Sequence, residues 1–352
     1  MVFDRVADVS DRNDPDQYRY GLYGTPTTRD LALRIAAIEG VEHCLILPSG
    51  QAAIALPYLA FCKAGDHVLL TESAYGPNAE LAAGPLKRLG IEVERYDPMV
   101  GGGIAARIRD NTSLIWCESP GSITMEVQDV PAICSAAKKR GVLVAIDNTY
   151  GAGILFDAFA KGVDISVQAL TKYAGGHSDL LLGSIAVRDD RLDQRLREAQ
   201  RLTGMSASPD DCALVLRGLK TLEIRLKRLE ESALTVARWL RERDEVTSLL
   251  HPAFPGCPGH DIWERDWTGS AGIFSIILGH WRREQIVQFV DSLELFDIGY
   301  SWGGANSLVM TYADLGRPTP ETGPLLVRLN IGLEDHHDLI DDLAQALAKA
   351  AG

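Results

Sequence analysis

Between about residue 25 and residue 220, short apolar, β-branched runs alternate with stretches of helical period, and this alternation leaves few architectures open. The runs are HCLILP, DHVLLT, IEVERYD, TSLIWCE, VLVAID and VDISVQAL. Near-continuous apolar runs suit strands buried on both faces, so a mostly parallel, helix-covered α/β sheet is expected. Helices are predicted after HCLILP, where Pro57 should kink or end the helix, and in VPAICSAAKKRG, with a short helix-like segment, ILFDAFAKG, before VDISVQAL. After Arg217 the character changes. A long helix is predicted over roughly Cys212 to Glu242, then strands GIFSIIL and LLVRLNI and a closing helix from about Asp335 to Ala351. The expected organisation is an arm over residues 1–24, a large α/β domain over 25–221 and a smaller α+β domain over 222–352.

Composition narrows the class. The chain has 352 residues, 46% of them hydrophobic, enough to bury a sizeable core. Thirty-five Lys plus Arg against 48 Asp plus Glu leave a net charge of −13, the wrong sign for a nucleic-acid backbone or an anionic membrane. The most basic stretch, Arg217 to Arg228, is interrupted by Glu223 and by leucines at helical spacing, and reads as an amphipathic helix with a solvated face. The six cysteines show no C-x-x-C pair and read as core thiols, and no metal site is expected. The start lacks a basic n-region and an apolar h-region, and no run of 18 apolar residues occurs, so the cytoplasm is the expected compartment.

Ligands of an open parallel sheet bind beyond the carboxyl ends of its strands, so the residues that end each run carry the functional expectations. Ser49-Gly50-Gln51 follows a strand run and opens a helix, where free N–H groups suit a phosphate; a plain helix cap is the ordinary alternative. Asp147 ends VLVAI, where a buried carboxylate needs a cation or a strong donor, or else makes an Asx turn. Lys172 closes the next strand run, which can bring a base and an acid to one crevice; a surface lysine is the alternative. Tyr75, after DHVLLT, is either an exposed loop residue or an aromatic plate for a flat ligand. In LLVRLNI, alternation puts Val327, Leu329 and Ile331 on one face and Arg328 and Asn330 on the other, so Arg328 is either solvated or offers a planar fork to a carboxylate. Together these groups meet the needs of pyridoxal 5'-phosphate: a Schiff-base lysine that also serves as general base, an acid facing the pyridine nitrogen, a phosphate cup and a stacking ring.

At these residues the sequence resembles the cystathionine β-lyase branch of the Cys/Met-metabolism pyridoxal-phosphate enzymes. The resemblance runs from about Tyr20 to the C-terminus through YGLYGTPTT, ESPGSITMEVQDVPAI, IDNTYGAGILF, QALTKYAGGHSD, GYSWGG and VRLNIGLED. It implies an aspartate-aminotransferase-like (type I) fold and a homotetramer, a dimer of dimers with each active site shared across a dimer. By position it makes Lys172 the Schiff-base lysine and Asp147 the partner of the ring nitrogen, with Tyr75 on the ring and Gly50, Gln51 and Thr171 at the phosphate. It sets Arg328 on the substrate carboxylate with Ser301 and Trp302 beside it, and sends Tyr20 into the neighbouring subunit's site. Family members commonly carry Tyr-x-Arg in the arm, the arginine pairing with the partner's cofactor phosphate. Here the pattern is Tyr20-Gly21-Leu22, so Arg29, Arg19 or backbone N–H groups with Thr171 must serve instead, and weaker cofactor retention is expected.

The activity implied is α,β-elimination of L-cystathionine to homocysteine, pyruvate and ammonia, with related cysteine S-conjugates as further substrates. γ-Chemistry on the same scaffold, as in cystathionine γ-synthase, cystathionine γ-lyase or methionine γ-lyase, is the nearest rival. A nucleotide-dependent dehydrogenase is disfavoured because Gly101-Gly102-Gly103-Ile104-Ala105-Ala106 does not follow a strand end. A non-catalytic paralogue is disfavoured because Lys172 and Asp147 are both present.

Overall fold

A computed structural model of the chain describes residues 20–313, 315 and 325–352. Most of the expected arm, Arg19 included, lies outside the described residues; Gly21–Tyr23 forms one 3-10 turn. Helix α1 (Pro26–Glu39) starts at a reciprocal cap in which Thr28 N–H donates to Thr25 Oγ1 (3.2 Å) and Thr25 N–H to Thr28 Oγ1 (2.7 Å). Gly40, at φ +69°, ends it. Then come β1 (His43–Leu47), α2 (Gly50–Phe61), β2 (His67–Thr71), α3 (Gly76–Leu81), β3 (Glu92–Tyr96), β4 (Thr112–Glu118), α4 (Val130–Lys138), β5 (Leu143–Asp147), β6 (Ile165–Ala169), β7 (Gly183–Val187), α5 (Asp190–Thr203) and α6 (Pro209–Leu219). The remainder is α7 (Leu222–Arg241), β8 (Ser248–Leu250), α8 (His260–Asp266), β9 (Ile273–Ile277), α9 (Arg283–Asp291), β10 (Asp297–Ile298), β11 (Leu308–Tyr312), β12 (Leu326–Asn330) and α10 (His336–Ala351).

The first sheet has the order β1-β7-β6-β5-β4-β2-β3 and is parallel except for β7, which runs against both its neighbours. The second, β10-β11-β12-β9-β8, is antiparallel except for the β10–β11 pair. Strand alternation divides the apolar side chains of the first sheet between two cores. Val68, Leu70, Leu114, Trp116 and Ala145 pack beneath α2 and α5, whereas Leu69, Ile115, Cys117, Val144 and Ile146 face α4 and the start of α7. The latter core continues into the second sheet through Ile273, Ile277 and Leu326. On the far side of that sheet, Val327, Leu329 and Ile331 pack against α10, as their alternation predicts.

The structure departs from the sequence reading in three places and, at Pro57, excludes one of the two expected outcomes, an early end. The long helix expected over Cys212 to Glu242 is broken between α6 and α7: Lys220 and Thr221 bond only three residues back, and the Gly218 carbonyl is taken by Arg225 Nη2 (2.9 Å). Arg225, expected on a solvated face, is buried there and also donates to the Tyr173 carbonyl (2.7 Å). The ILFDAFAKG segment forms turns, with Gly153 and Gly162 at positive φ and the Phe156 carbonyl accepting from Asn148 Nδ2 (3.2 Å). Pro57 does not end α2, which runs on to Phe61; Leu56, Tyr58 and Phe61 are buried, and their packing offsets one missing backbone bond. Finally, β7 was not anticipated. Its run, GSIAV, is short and interrupted by small residues, yet every residue is buried between β1 and β6. Among the described residues no helix is long and apolar enough to cross a membrane.

Candidate active site

Strands β4, β5 and β6 lie side by side, so Glu118, Asp147 and the segment after Ala169 end at one edge of the sheet. A cleft opens there. Its lining includes Ser49, Gly50 and Gln51 from the start of α2, together with Tyr75, Asp147, Thr171, Lys172 and Trp302. The acid and the base expected at consecutive strand ends therefore do share one crevice.

The turn before α2 is ordered by its own cap: Ser49 Oγ accepts the Ala52 N–H at 3.0 Å. The first helical bond runs from Ala53 N–H to the Ser49 carbonyl (3.1 Å), which leaves the Gly50 and Gln51 N–H groups ahead of the ladder. A Cβ on Gly50 would stand 2.7 Å from Ala169 Cβ, so glycine is what lets the helix start approach the end of β6. Gln51 Nε2 donates to the Pro77 carbonyl (3.2 Å), while its buried Oε1 has no partner among the described residues. Thr171 Oγ1 is joined to Leu182, donating to its carbonyl and accepting from its N–H, both at 3.2 Å.

Asp147 is 9% exposed, and burial raises its carboxyl above the ordinary range; one oxygen accepts the Thr149 N–H at 3.0 Å. Thr149 Oγ1 accepts the Ala169 N–H (2.8 Å), tying the two strand ends together. Lys172 Nζ donates to Ser301 Oγ (2.7 Å) and lies 5.2 Å from the centre of the Trp302 ring. Burial, and then the Arg328 charge, push its amine down to about 8, with Asp147 opposing. Arg328 is 5% exposed, not solvated. Its Nη1 donates to the Ser122 carbonyl (3.1 Å) and its Nη2 to the Tyr300 carbonyl (2.6 Å), and its guanidinium stacks 5.1 Å from the centre of Tyr312. Burial disfavours its charge, and among the described residues no carboxylate pairs with it. An anionic ligand would supply the missing partner.

Tyr75, 44% exposed, stands at the start of α3 with its backbone N–H bonded to Glu118 Oε2 (2.6 Å); burial, Asp147 and Glu118 raise its phenol. Glu118 was missed by the sequence reading, although it ends a buried strand run as Asp147 does. Tyr20 is not brought into this chain's cleft: half exposed, it packs edge-on against Tyr23 (5.5 Å). Nor do Leu22 and Arg29, on the same flank, line it.

The donor set fits pyridoxal phosphate: free helix-start N–H groups and a hydroxyl for an anion, a buried acid, a half-exposed aromatic ring and an amine lowered by burial. A family model described as Cys/Met metabolism PLP-dependent enzyme matches residues 1–348. The chain is similar to cystathionine beta-lyase MetC of Escherichia coli, 42% identical over 339 residues that span 94% of this chain and 86% of that one. It is more distantly similar to cystathionine gamma-lyase of Rattus norvegicus, at 34% identity over 98% of this chain and 89% of the relative. Among solved structures, metB from Corynebacterium glutamicum superposes with a TM-score of 0.90 at 31% identity, covering 96% of this chain and 89% of that one. A lysine and an acid at neighbouring strand ends, on a chain alike over nearly its whole length, lead to one assignment: the protein belongs to the Cys/Met metabolism PLP-dependent enzymes.

Proposed function

We propose that this enzyme is a cystathionine β-lyase, converting L-cystathionine and water to homocysteine, pyruvate and ammonia, and acting on related cysteine S-conjugates. The observation that carries the reading is the pairing of Lys172 and Asp147 in one cleft of a chain 42% identical to a cystathionine beta-lyase. Ser49, Gly50, Gln51 and Thr171 would hold the cofactor phosphate, Asp147 would support the ring nitrogen, Tyr75 would pack on the ring and Lys172 would be its anchoring amine. Bound there, pyridoxal phosphate supplies the electron sink for charge that develops at the substrate Cα. Arg328 clasps the substrate carboxylate with a guanidinium already fixed by two carbonyls. Lys172, an amine lowered to about 8, is partly neutral near neutrality and takes the Cα proton, with Ser301 orienting it and Trp302 shielding it from water. Tyr75, beside the same acid pair, completes the catalytic set. Thiolate then leaves from Cβ.

Residues 1–24, 25–221 and 222–352 act as arm, cofactor domain and smaller domain. Two such chains build each pair of sites, Tyr20 of one reaching the other, and two dimers form a cytoplasmic tetramer. The greater identity to the beta-lyase than to the gamma-lyase favours β- over γ-elimination. Incubation with cystathionine should release pyruvate and homocysteine; 2-oxobutyrate with cysteine would transfer the assignment to γ-chemistry. Borohydride reduction of the holoenzyme followed by peptide mapping should find the cofactor on Lys172, and any other site would overturn the role given to that amine.

A further inference from the structure

We infer that Glu118 is a positioning residue that ties the aromatic plate of Tyr75 to the carboxylate clamp of Arg328, by way of Ser122. The inference rests on the cofactor site just proposed and goes beyond it. Glu118 is 8% exposed at the end of β4, in register with Asp147 on β5, so two buried carboxyl groups sit side by side. Among the described residues no cation is in ion-pair contact with Glu118, and burying an acid in this way is costly unless its bonds are worth keeping.

Those bonds point in two directions. One oxygen, Oε2, accepts the Tyr75 N–H at 2.6 Å, at the residue where the chain turns into α3. The carboxyl also lies beside the Ser122 side chain, and the Ser122 carbonyl accepts Arg328 Nη1 at 3.1 Å. The Ser122 N–H donates to the Ser73 carbonyl (3.1 Å), closing the loop back towards Tyr75. The carboxyl itself is a fixed peg, because the Glu118 N–H donates to the buried Gln128 Oε1 (2.9 Å), and Gln128 Nε2 is held by Thr71 and Tyr96 (both 3.2 Å). With one oxygen held by the Tyr75 N–H and Ser122 beside the carboxyl, Glu118 acts through these neighbours and not on the substrate.

The test compares the wild-type holoenzyme with Glu118→Ala, Glu118→Gln and Ser122→Ala. Three quantities are read: KM and kcat for pyruvate release, the dissociation constant of pyridoxal phosphate, and the visible circular dichroism of the bound cofactor. Removing the peg in Glu118→Ala should raise KM about tenfold, weaken cofactor binding and flatten the dichroic band, since small misplacements are costly in a positioned site. The amide of Glu118→Gln can still accept the Tyr75 N–H and keeps nearly the same shape beside Ser122, so this variant should recover most of each loss. Ser122→Ala keeps the carbonyl on Arg328 and loses only the link to Glu118; a rise in KM of about threefold with kcat retained is expected. The inference is overturned if Glu118→Ala leaves KM and the dichroic band unchanged, or if Glu118→Gln is as impaired as Glu118→Ala, which would mean that the negative charge itself acts. Should Glu118→Ala fail to fold, an unchanged KM in Ser122→Ala overturns it equally. Failure of the wild type to release pyruvate would instead sink the proposed substrate, leaving cofactor affinity and dichroism to decide the role of Glu118.

Discussion

Lys172 shows how one side chain's surroundings set its chemistry. Burial and the nearby Arg328 favour the neutral amine, whereas Asp147 favours the ammonium, and the first two prevail. In the cofactor-free chain, labelling of Lys172 by an amine-directed reagent should therefore rise with a midpoint near pH 8, while exposed lysines follow the ordinary value of about 10.4. Asp147→Asn removes the charge that supports the ammonium, so the midpoint should move lower; peptide mapping of the label across pH checks both, and an upward move would contradict the assigned balance. The sign for stability follows from the same displacement. A lysine whose folded value lies below its unfolded one favours the fold most above the unfolded value, and that contribution is lost as pH falls through about 8. The cofactor-free protein should accordingly unfold more readily in denaturant at pH 7 than at pH 9, as far as this group decides.

At the level of elements, α2 meets β6 in close contact at the proposed phosphate cup. A methyl on Gly50 would come within 2.7 Å of Ala169 Cβ and 3.2 Å of its Cα, and neither group is a flexible chain end. Gly50→Ala should push the helix start away at a cost of about 1–3 kcal/mol. Cofactor affinity should fall roughly tenfold or more, measured by equilibrium dialysis against pyridoxal phosphate. The six quoted strand runs, the cap before α2 and the strand-end positions of Asp147 and Lys172 were legible because burial on both faces writes an apolar run and a polar residue must end it. What stayed hidden depends on tertiary contact. At the α6–α7 break Arg225 bonds the Gly218 carbonyl of α6 and the distant Tyr173 carbonyl, and β7 is a strand by virtue of the neighbours that cover it. Glu118 ends its strand run as Asp147 does, but its role depends on the Tyr75 N–H that it meets only in the fold.

Across the whole molecule, two tyrosines next to the proposed catalytic pair reach from the first sheet's loops to the backbone leading into the second. Tyr173 Oη accepts the Gly272 N–H and Tyr150 Oη the Ala271 N–H, both at 3.1 Å, and both rings are buried. Tyr173→Phe leaves the Gly272 N–H without its acceptor inside the core, for a loss of about 1–3 kcal/mol, to be read as a lower denaturation midpoint. No loss would mean that the backbone finds another acceptor. Tyr150 lies three residues beyond Asp147, and Tyr173 follows Lys172 directly. Any swing of the smaller sheet against the larger would consequently pull on the acid and the base together. An enzyme wired in this way transmits any rocking of its halves to the reactive pair, so a change at either tyrosine should be felt at the acid or the base next to it.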